Sequence, residues 1–202
     1  MQEPFISGPD NPALTCILVH GRGRSPDDMQ PLIQQMPRVR HVLPKSDGQG
    51  WYAARTVDPL TDVTRAELAA SLDQLAALIA AQTGPVLLAG FSQGACLAAE
   101  YLLSGAPLPA AACLFTGCRV GLPGDGLPRA ALAGLPVYVT GGDADPWIPL
   151  DAWHRLLVDL TGAGARVRAD LFPGRPHEVS GAERSQLQVM LARMLEGHDA
   201  LG

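Results

Sequence analysis

Six short runs rich in Val, Leu, Ile or Ala recur along this chain, separated by stretches in which apolar residues fall at helical spacing. The runs are Thr15 to His20, Val39 to Leu43, Val86 to Phe91, Ala111 to Thr116, Val137 to Thr140 and Arg166 to Phe172. A strand apolar on both sides has to be covered on both faces, the situation of parallel strands joined by crossover helices that pack above and below one sheet. The pattern therefore predicts an α/β architecture of repeated βα units around a mostly parallel sheet of six or seven strands. At most one strand fits before Thr15. With 202 residues the chain builds one substantial core and not two, so a single domain over 1–202 is expected.

The helices carry their own start signals. Ser25 followed by Pro26 reads as an N-cap with proline at the first helical position, opening a helix through Gln35. Thr64 to Glu67 reads as a capping box, after which Leu68, Leu72, Leu75 and Ile79 share one face. A third helix follows Ser92, and a fourth spans about Asp151 to Leu160. The last opens with the capping box Ser180 to Glu183 and carries Leu187, Met190, Leu191, Met194 and Leu195 as an apolar stripe. Methionines at that spacing read as core. Glycine and proline punctuate Lys45 to Thr61 and Gly117 to Pro136, which are expected to be surface loops that shape a pocket.

Composition excludes several classes of function. The chain is 47% hydrophobic and 17% charged, a packed globular profile. A net charge of −5 with scattered Lys and Arg leaves no electrostatic footprint for nucleic acid. The polar start, Met1 to Pro12, lacks a secretory pattern and no apolar stretch has membrane-spanning length, so a cytoplasmic protein is expected. Cys16, Cys96, Cys113 and Cys118 have neither zinc-site nor CxxC spacing and read as buried free thiols. The spacing of Cys113 and Cys118 permits a disulfide, which a reducing compartment disfavours. A homodimer is compatible with all of this.

One motif carries chemistry. Gly90-Phe91-Ser92-Gln93-Gly94 has a buried strand before it and a small-residue helix after it, the setting in which a serine is forced into a tight turn and projects its hydroxyl above the sheet. A serine hydroxyl needs a histidine base, itself oriented by a carboxylate. His154 falls inside a helix and His198 in the tail, whereas His177 occupies a loop after the last strand and is the best-placed base. Asp143 and Asp145 both follow the fifth of these strands. Asp145, just ahead of Pro146, is favoured, because an acid directly after Gly141-Gly142 tends to bond its own turn.

Backbone donors for an oxyanion come from the residue after the serine, Gln93, and from the loop after the first strand, Arg22. His20 reads as structural. The glycines of Gly21-Arg22-Gly23-Arg24 do not complete a nucleotide fingerprint, and no metal or cofactor is called for.

With these residues in place, the chain resembles the phospholipase/carboxylesterase branch of the α/β-hydrolases, which includes acyl-protein thioesterases and small bacterial esterases. Leu18 to Gly23, Gly90 to Gly94, Gly142 to Pro149 and Pro173 to His177 match that branch's oxyanion, nucleophile, acid and base motifs in order. The resemblance implies the α/β-hydrolase fold without a large lid, and hydrolysis of a small carboxylic ester or thioester through an acyl-enzyme on Ser92. It also implies Asp145 as the acid and Trp51-Tyr52 as part of an acyl pocket. Gly23 and Trp147 are further candidates for the pocket wall.

Phe115-Thr116-Gly117-Cys118-Arg119 stands where relatives often carry Ser-Gly and a Leu-Pro pair, so the acyl group is left open. Lysophospholipase and acyl-protein thioesterase activities are alternatives within the class, and a silent binding module on the same fold is the alternative outside it. Arg22 and Arg24 near the mouth are either solvated, the simpler reading, or attract anionic substrates.

Overall fold

The computed structural model describes residues 2–33, 38–48 and 50–202. Seven strands form one sheet: β1 (Gln2–Ser7), β2 (Leu14–Val19), β3 (Val39–Lys45), β4 (Val86–Phe91), β5 (Ala111–Phe115), β6 (Pro136–Gly142) and β7 (Arg166–Phe172). Their spatial order is β1-β3-β2-β4-β5-β6-β7, parallel throughout except for β1, which pairs antiparallel with β3 at the edge. The six expected strands are present with ends shifted by at most two residues, and β1 fills the space foreseen before Thr15.

Every residue of the central strands β2, β4 and β5 is buried, and their side chains alternate between two apolar faces of the sheet. Ile17, Val19, Leu88, Leu114 and Val139 point into one layer, and Cys16, Leu18, Leu87, Cys113 and Tyr138 into the other. On the first face pack α2 (Asp62–Ala80), α3 (Gln93–Leu103) and α4 (Leu150–Gly162); on the second, α1 (Pro26–Met29) and α5 (Gly181–Leu195). Leu68, Leu75 and Ile79 of α2 are buried as their spacing requires, and Met190 of α5 is core. Each layer removes one face of the sheet from water, the dominant favourable term for a fold of this size.

Three helix starts and ends differ from expectation. Helix α2 begins three residues early: Thr61 is its N-cap and accepts from the Thr64 amide at 3.1 Å. The Glu67 carboxylate, instead of closing a box with Thr64, accepts from the Ala53 amide at 2.8 Å. The earlier start brings Asp62 into the first turn, where its charge opposes the positive helix end. Helix α1 is capped at Ser25 by Asp28 as a box, but it is four residues long and passes into a 3₁₀ turn, Gln30–Leu32. Pro31 has no amide to continue the ladder. The expected end at Gln35 lies outside the described residues. Helix α4 starts one residue early, at Leu150.

The four cysteines are buried free thiols, and the Cys118 amide donates to Cys96 Sγ at 3.3 Å. No helix is long and apolar enough to cross a membrane among the described residues.

The long segment after β5 is fastened from below. Arg119, 2% exposed, donates from Nε to Glu100 of α3 at 2.8 Å and from Nη1 to Asp159 of α4 at 2.6 Å. It also reaches the Pro128 carbonyl at 3.0 Å, while Glu100 accepts from the Val120 amide. This segment is tied in turn to the one before α2. Gly121 N–H donates to the Thr56 carbonyl at 2.7 Å, and the Asp125 carboxylate accepts from the amides of both Leu60 and Leu122.

Arg119→Ala leaves two buried carboxylates without their shared cation and is expected to lower the free energy of unfolding by about 3–5 kcal/mol. Arg129→Ala removes an exposed partner of the same Asp159 and should change it by less than about 1 kcal/mol. Chemical denaturation of the two variants checks the contrast.

Candidate active site

Strands β2, β3 and β4 define where a site can form. After β2 the chain crosses to one side for β3, and it then returns to the other side for β4, so the loops leaving the carboxyl ends of β2 and β4 diverge and open a crevice. Ser92 stands at that point. Its φ of 54° and ψ of −122° lie in a region side chains rarely adopt, at the junction of β4 and α3. The turn is held because its neighbours are bare. A side chain on Gly94 would sit 2.1 Å from the Val19 carbonyl oxygen, and one on Gly90 would sit 2.5 Å from the Gly94 carbonyl. The Ser92 amide donates to the Phe115 carbonyl at 3.0 Å, which anchors the turn to β5.

The loops after β6 and β7 bring the other polar groups to this serine. His177 Nε2 lies 2.8 Å from Ser92 Oγ, and its Nδ1 lies 2.7 Å from Asp145 Oδ2. With Nδ1–H donating to the carboxylate, the Nε2 lone pair faces the hydroxyl. Asp145 Oδ1 accepts from the amides of Trp147 at 2.8 Å and Ile148 at 3.0 Å, so both carboxylate oxygens are committed. Burial pushes this carboxyl up, but the hydrogen bonds from His177 and the two amides outweigh it and hold the group below the usual carboxylate range. The Phe91 ring lies 5.0 Å from the imidazole.

Asp143 does not enter this line. Its Oδ1 accepts from the Gly174 amide at 2.6 Å, so it joins the loop after β6 to the loop that carries His177 rather than bonding its own turn. Arg175, a residue the sequence did not single out, secures the same loop from beneath. It is 6% exposed and donates to Thr116 Oγ1 at 3.0 Å and to the Glu178 carbonyl, with Glu183 of α5 at 3.3 Å. Glu183 was legible only as a capping residue, a role it keeps by accepting from the Ser180 amide at 2.6 Å.

The loop after β2 passes close to the serine: a side chain on Gly21 would come within 3.1 Å of Ser92 Cβ. His20 braces that loop. Its Nδ1–H donates to the Gly21 carbonyl at 2.8 Å, and its Nε2 accepts from the Ser46 amide at 3.3 Å. Gln93 is the first residue of α3, so its amide has no carbonyl one turn back in that helix. The Gln93 side chain is clamped between the Trp51 amide at 3.0 Å and the Tyr52 carbonyl at 2.7 Å.

A cleft of about 470 Å³, within the usual range of small-ligand sites, opens above Ser92 and His177. Gly23, Arg24, Arg55, Val57 and Trp147 line it, as do Arg22 and Gln93. Trp51 does not. It is 6% exposed, its indole N–H donates to the His20 carbonyl at 2.7 Å, and it borders a neighbouring cavity. Its indole is consumed in bracing the β2 loop. Among the described residues no cluster of His, Cys, Asp and Glu could hold a metal ion.

The fold is that of an α/β-hydrolase, and the chain belongs to the phospholipase/carboxylesterase family, to which residues 1–195 match. With that membership it is a carboxylic ester hydrolase. A phospholipase/carboxylesterase from Dyadobacter fermentans is similar in structure, with a TM-score of 0.81 and 27% identity over 93% of this chain and 94% of that one. Zea mays acyl-protein thioesterase 2 shares the fold at a TM-score of 0.76 and 16% identity over 96% of this chain and 99% of that one. The Bacillus cereus carboxylesterase shares it at 0.71 and 22% identity, over 92% and 91% of the two chains. A search of curated proteins finds no match.

The brace around His20 generates a pH dependence. Burial pulls the His20 imidazole below its ordinary value against the opposing effect of its bond to Gly21, and burial does the same at His41 of β3. Below about pH 6.5 the unfolded chain binds protons that these two folded imidazoles resist. Stability is therefore complete above that pH and falls as the pH drops through it, by at most about 1.4 kcal/mol per pH unit for each histidine. Denaturation midpoints at pH 8, 7, 6 and 5 are expected to be level and then to decline, with a shallower decline in His20→Gln. A level profile down to pH 5 would overturn this account.

Proposed function

We propose that this hydrolase is a serine esterase acting on carboxylic esters or thioesters, with Ser92 as nucleophile, His177 as base and Asp145 as the acid that orients it. The observation that carries the reading is the unbroken relay from Ser92 Oγ through His177 to Asp145, at 2.8 and 2.7 Å, on the floor of an open cleft. Ser92 gives its proton to His177 Nε2 as Oγ attacks the acyl carbon. The backbone N–H groups of Gln93 and Arg22 receive the negative charge that develops on the carbonyl oxygen.

As the tetrahedral species collapses, the bond to the alcohol or thiol breaks, and His177 returns the proton to that leaving group. Water then enters, loses a proton to the same nitrogen and attacks the acyl-enzyme. The acid leaves and Ser92 is restored. Asp145 stays ionised throughout; its depressed pKa and fully engaged oxygens suit a group that steadies the imidazolium without taking the proton. The reading extends to location: four unpaired buried thiols suit the reducing cytoplasm.

A fluorophosphonate probe is expected to form one adduct, on Ser92, and Ser92→Ala should lose both the adduct and the esterase activity. Asp145→Asn should lower kcat by about 10⁴-fold, while Asp143→Asn should leave it within about tenfold. Retention of full activity in Ser92→Ala, or an adduct on another residue, would sink the assignment. No adduct on folded protein would instead favour the silent binding module.

A further inference from the structure

The cleft above Ser92 is charged against the grain of the molecule. The chain carries 20 Asp and Glu against 15 Lys and Arg, yet among the described residues lining this cleft three are arginines and none is acidic. The three are not equivalent. Arg24 is opposed by Asp28 at 3.2 Å, so its charge is largely answered. Arg22 donates to the carbonyls of Ala53 and Ala54 and lies 5.9 Å from the Tyr52 ring centroid. Peptide carbonyls and a ring cancel no formal charge, so Arg22 is a fixed, positioned cation. Those bonds tether residues 53 and 54 to the loop after β2, and the next residue, the exposed Arg55, lines the cleft wall, where its guanidinium meets no partner among the described residues. Glu178 lies beyond His177, in an adjoining cavity rather than in this one.

An arginine stays charged at every working pH, and like charges gathered in a concave site raise the local concentration of anions. Arg55 has no ion-pair partner among the described residues, and Arg22, which also borders a cavity lined by Asp47 and Glu67, is held by carbonyls. Resting on the serine-esterase reading, we infer that the substrate of this site carries an anionic group, a carboxylate or a phosphate, which Arg55 and Arg22 receive while Ser92 attacks the acyl carbon. Arg55 is the specificity determinant. Arg22 contributes field from a fixed position, and the apolar remainder of the substrate rests against Val57 and Trp147, which line the same cleft.

The test compares kcat/KM for matched pairs. On the acyl side, mono-4-nitrophenyl glutarate is set against 4-nitrophenyl valerate, equal in chain length and neutral. On the alcohol side, 1-butyrylglycerol 3-phosphate is set against 1-butyrylglycerol. The anionic member of at least one pair is expected to be preferred by about five- to tenfold, the scale of partly exposed ion pairs, and the pair that shows it identifies the side that carries the charge.

In Arg55→Glu the preference should reverse, in Arg55→Ala it should shrink by about threefold, in Arg55→Lys it should largely persist, and added salt should weaken it. Being a ratio within one preparation, it is independent of how much of each variant folds. Equal turnover of both members of both pairs, or a preference untouched in Arg55→Glu, would overturn the inference while leaving the serine mechanism standing. Failure of that mechanism shows separately, as no fluorophosphonate adduct and no turnover of any ester.

Discussion

The geometry of this molecule turns on one close approach, the first turn of α3 lying directly against the backbone at the end of β2. Gly94 makes it possible: there is no room for even a methyl group beside the Val19 carbonyl. Because α3 is drawn in so tightly, the chain between β4 and α3 has a single residue in which to reverse, and Ser92 takes the strained conformation that this demands. The same approach sets the loop after β2 beside the serine and aims the amino end of a helix at the space above it. Ser92 and the amides proposed to receive the oxyanion are thus placed by one backbone contact. The burial of both layers of the sheet compensates the local strain.

His177 and Asp145, the proposed base and acid, are positioned by different means. Their loops leave the sheet at β6 and β7, far from the Gly94 contact, and are joined to each other by the Asp143 carboxylate and to the body by Arg175. Arg175 lies below the loop that carries the imidazole and bridges the end of β5 to the start of α5. Buried ions of this kind contribute modestly as net stability and strongly as constraint, since every alternative placement leaves a charge unpaired. Arg119 plays the equivalent part under the long segment after β5. Two buried guanidiniums therefore hold the loop that carries His177 and the long segment after β5.

The strands and the triad candidates were legible because their signals are local: an apolar run, a glycine on either side of a serine, a histidine in the one suitable loop. Asp145 was separable from Asp143 by its place in the turn, although Asp143 proved to bond the neighbouring loop instead of its own. What was illegible depends on tertiary partners. The start of α2 moved because Glu67 is claimed by Ala53, fourteen residues away in sequence. Trp51 could be read as aromatic lining, but nothing local shows that its N–H is committed to His20. Arg175 and Arg55 are unremarkable in the sequence; one becomes an anchor through Glu183 and Thr116, and the other a cleft residue through the tethering of Ala53 and Ala54 by Arg22. Pairings between side chains as many as 59 positions apart leave no periodic trace.

The hydrogen bonds between the two long loops have a consequence for how such an enzyme diversifies. Thr56, on the wall of the cleft, is tied to Gly121, and the Asp125 carboxylate holds Leu60 and Leu122 together. The wall at Thr56 is thus backed by a second, distant stretch of chain that does not itself line the cleft. Grafting either stretch alone from a relative severs the seam and releases the other. New acyl preferences are accordingly accessible along two routes: substitutions that leave the seam intact, or exchanges that carry both stretches at once.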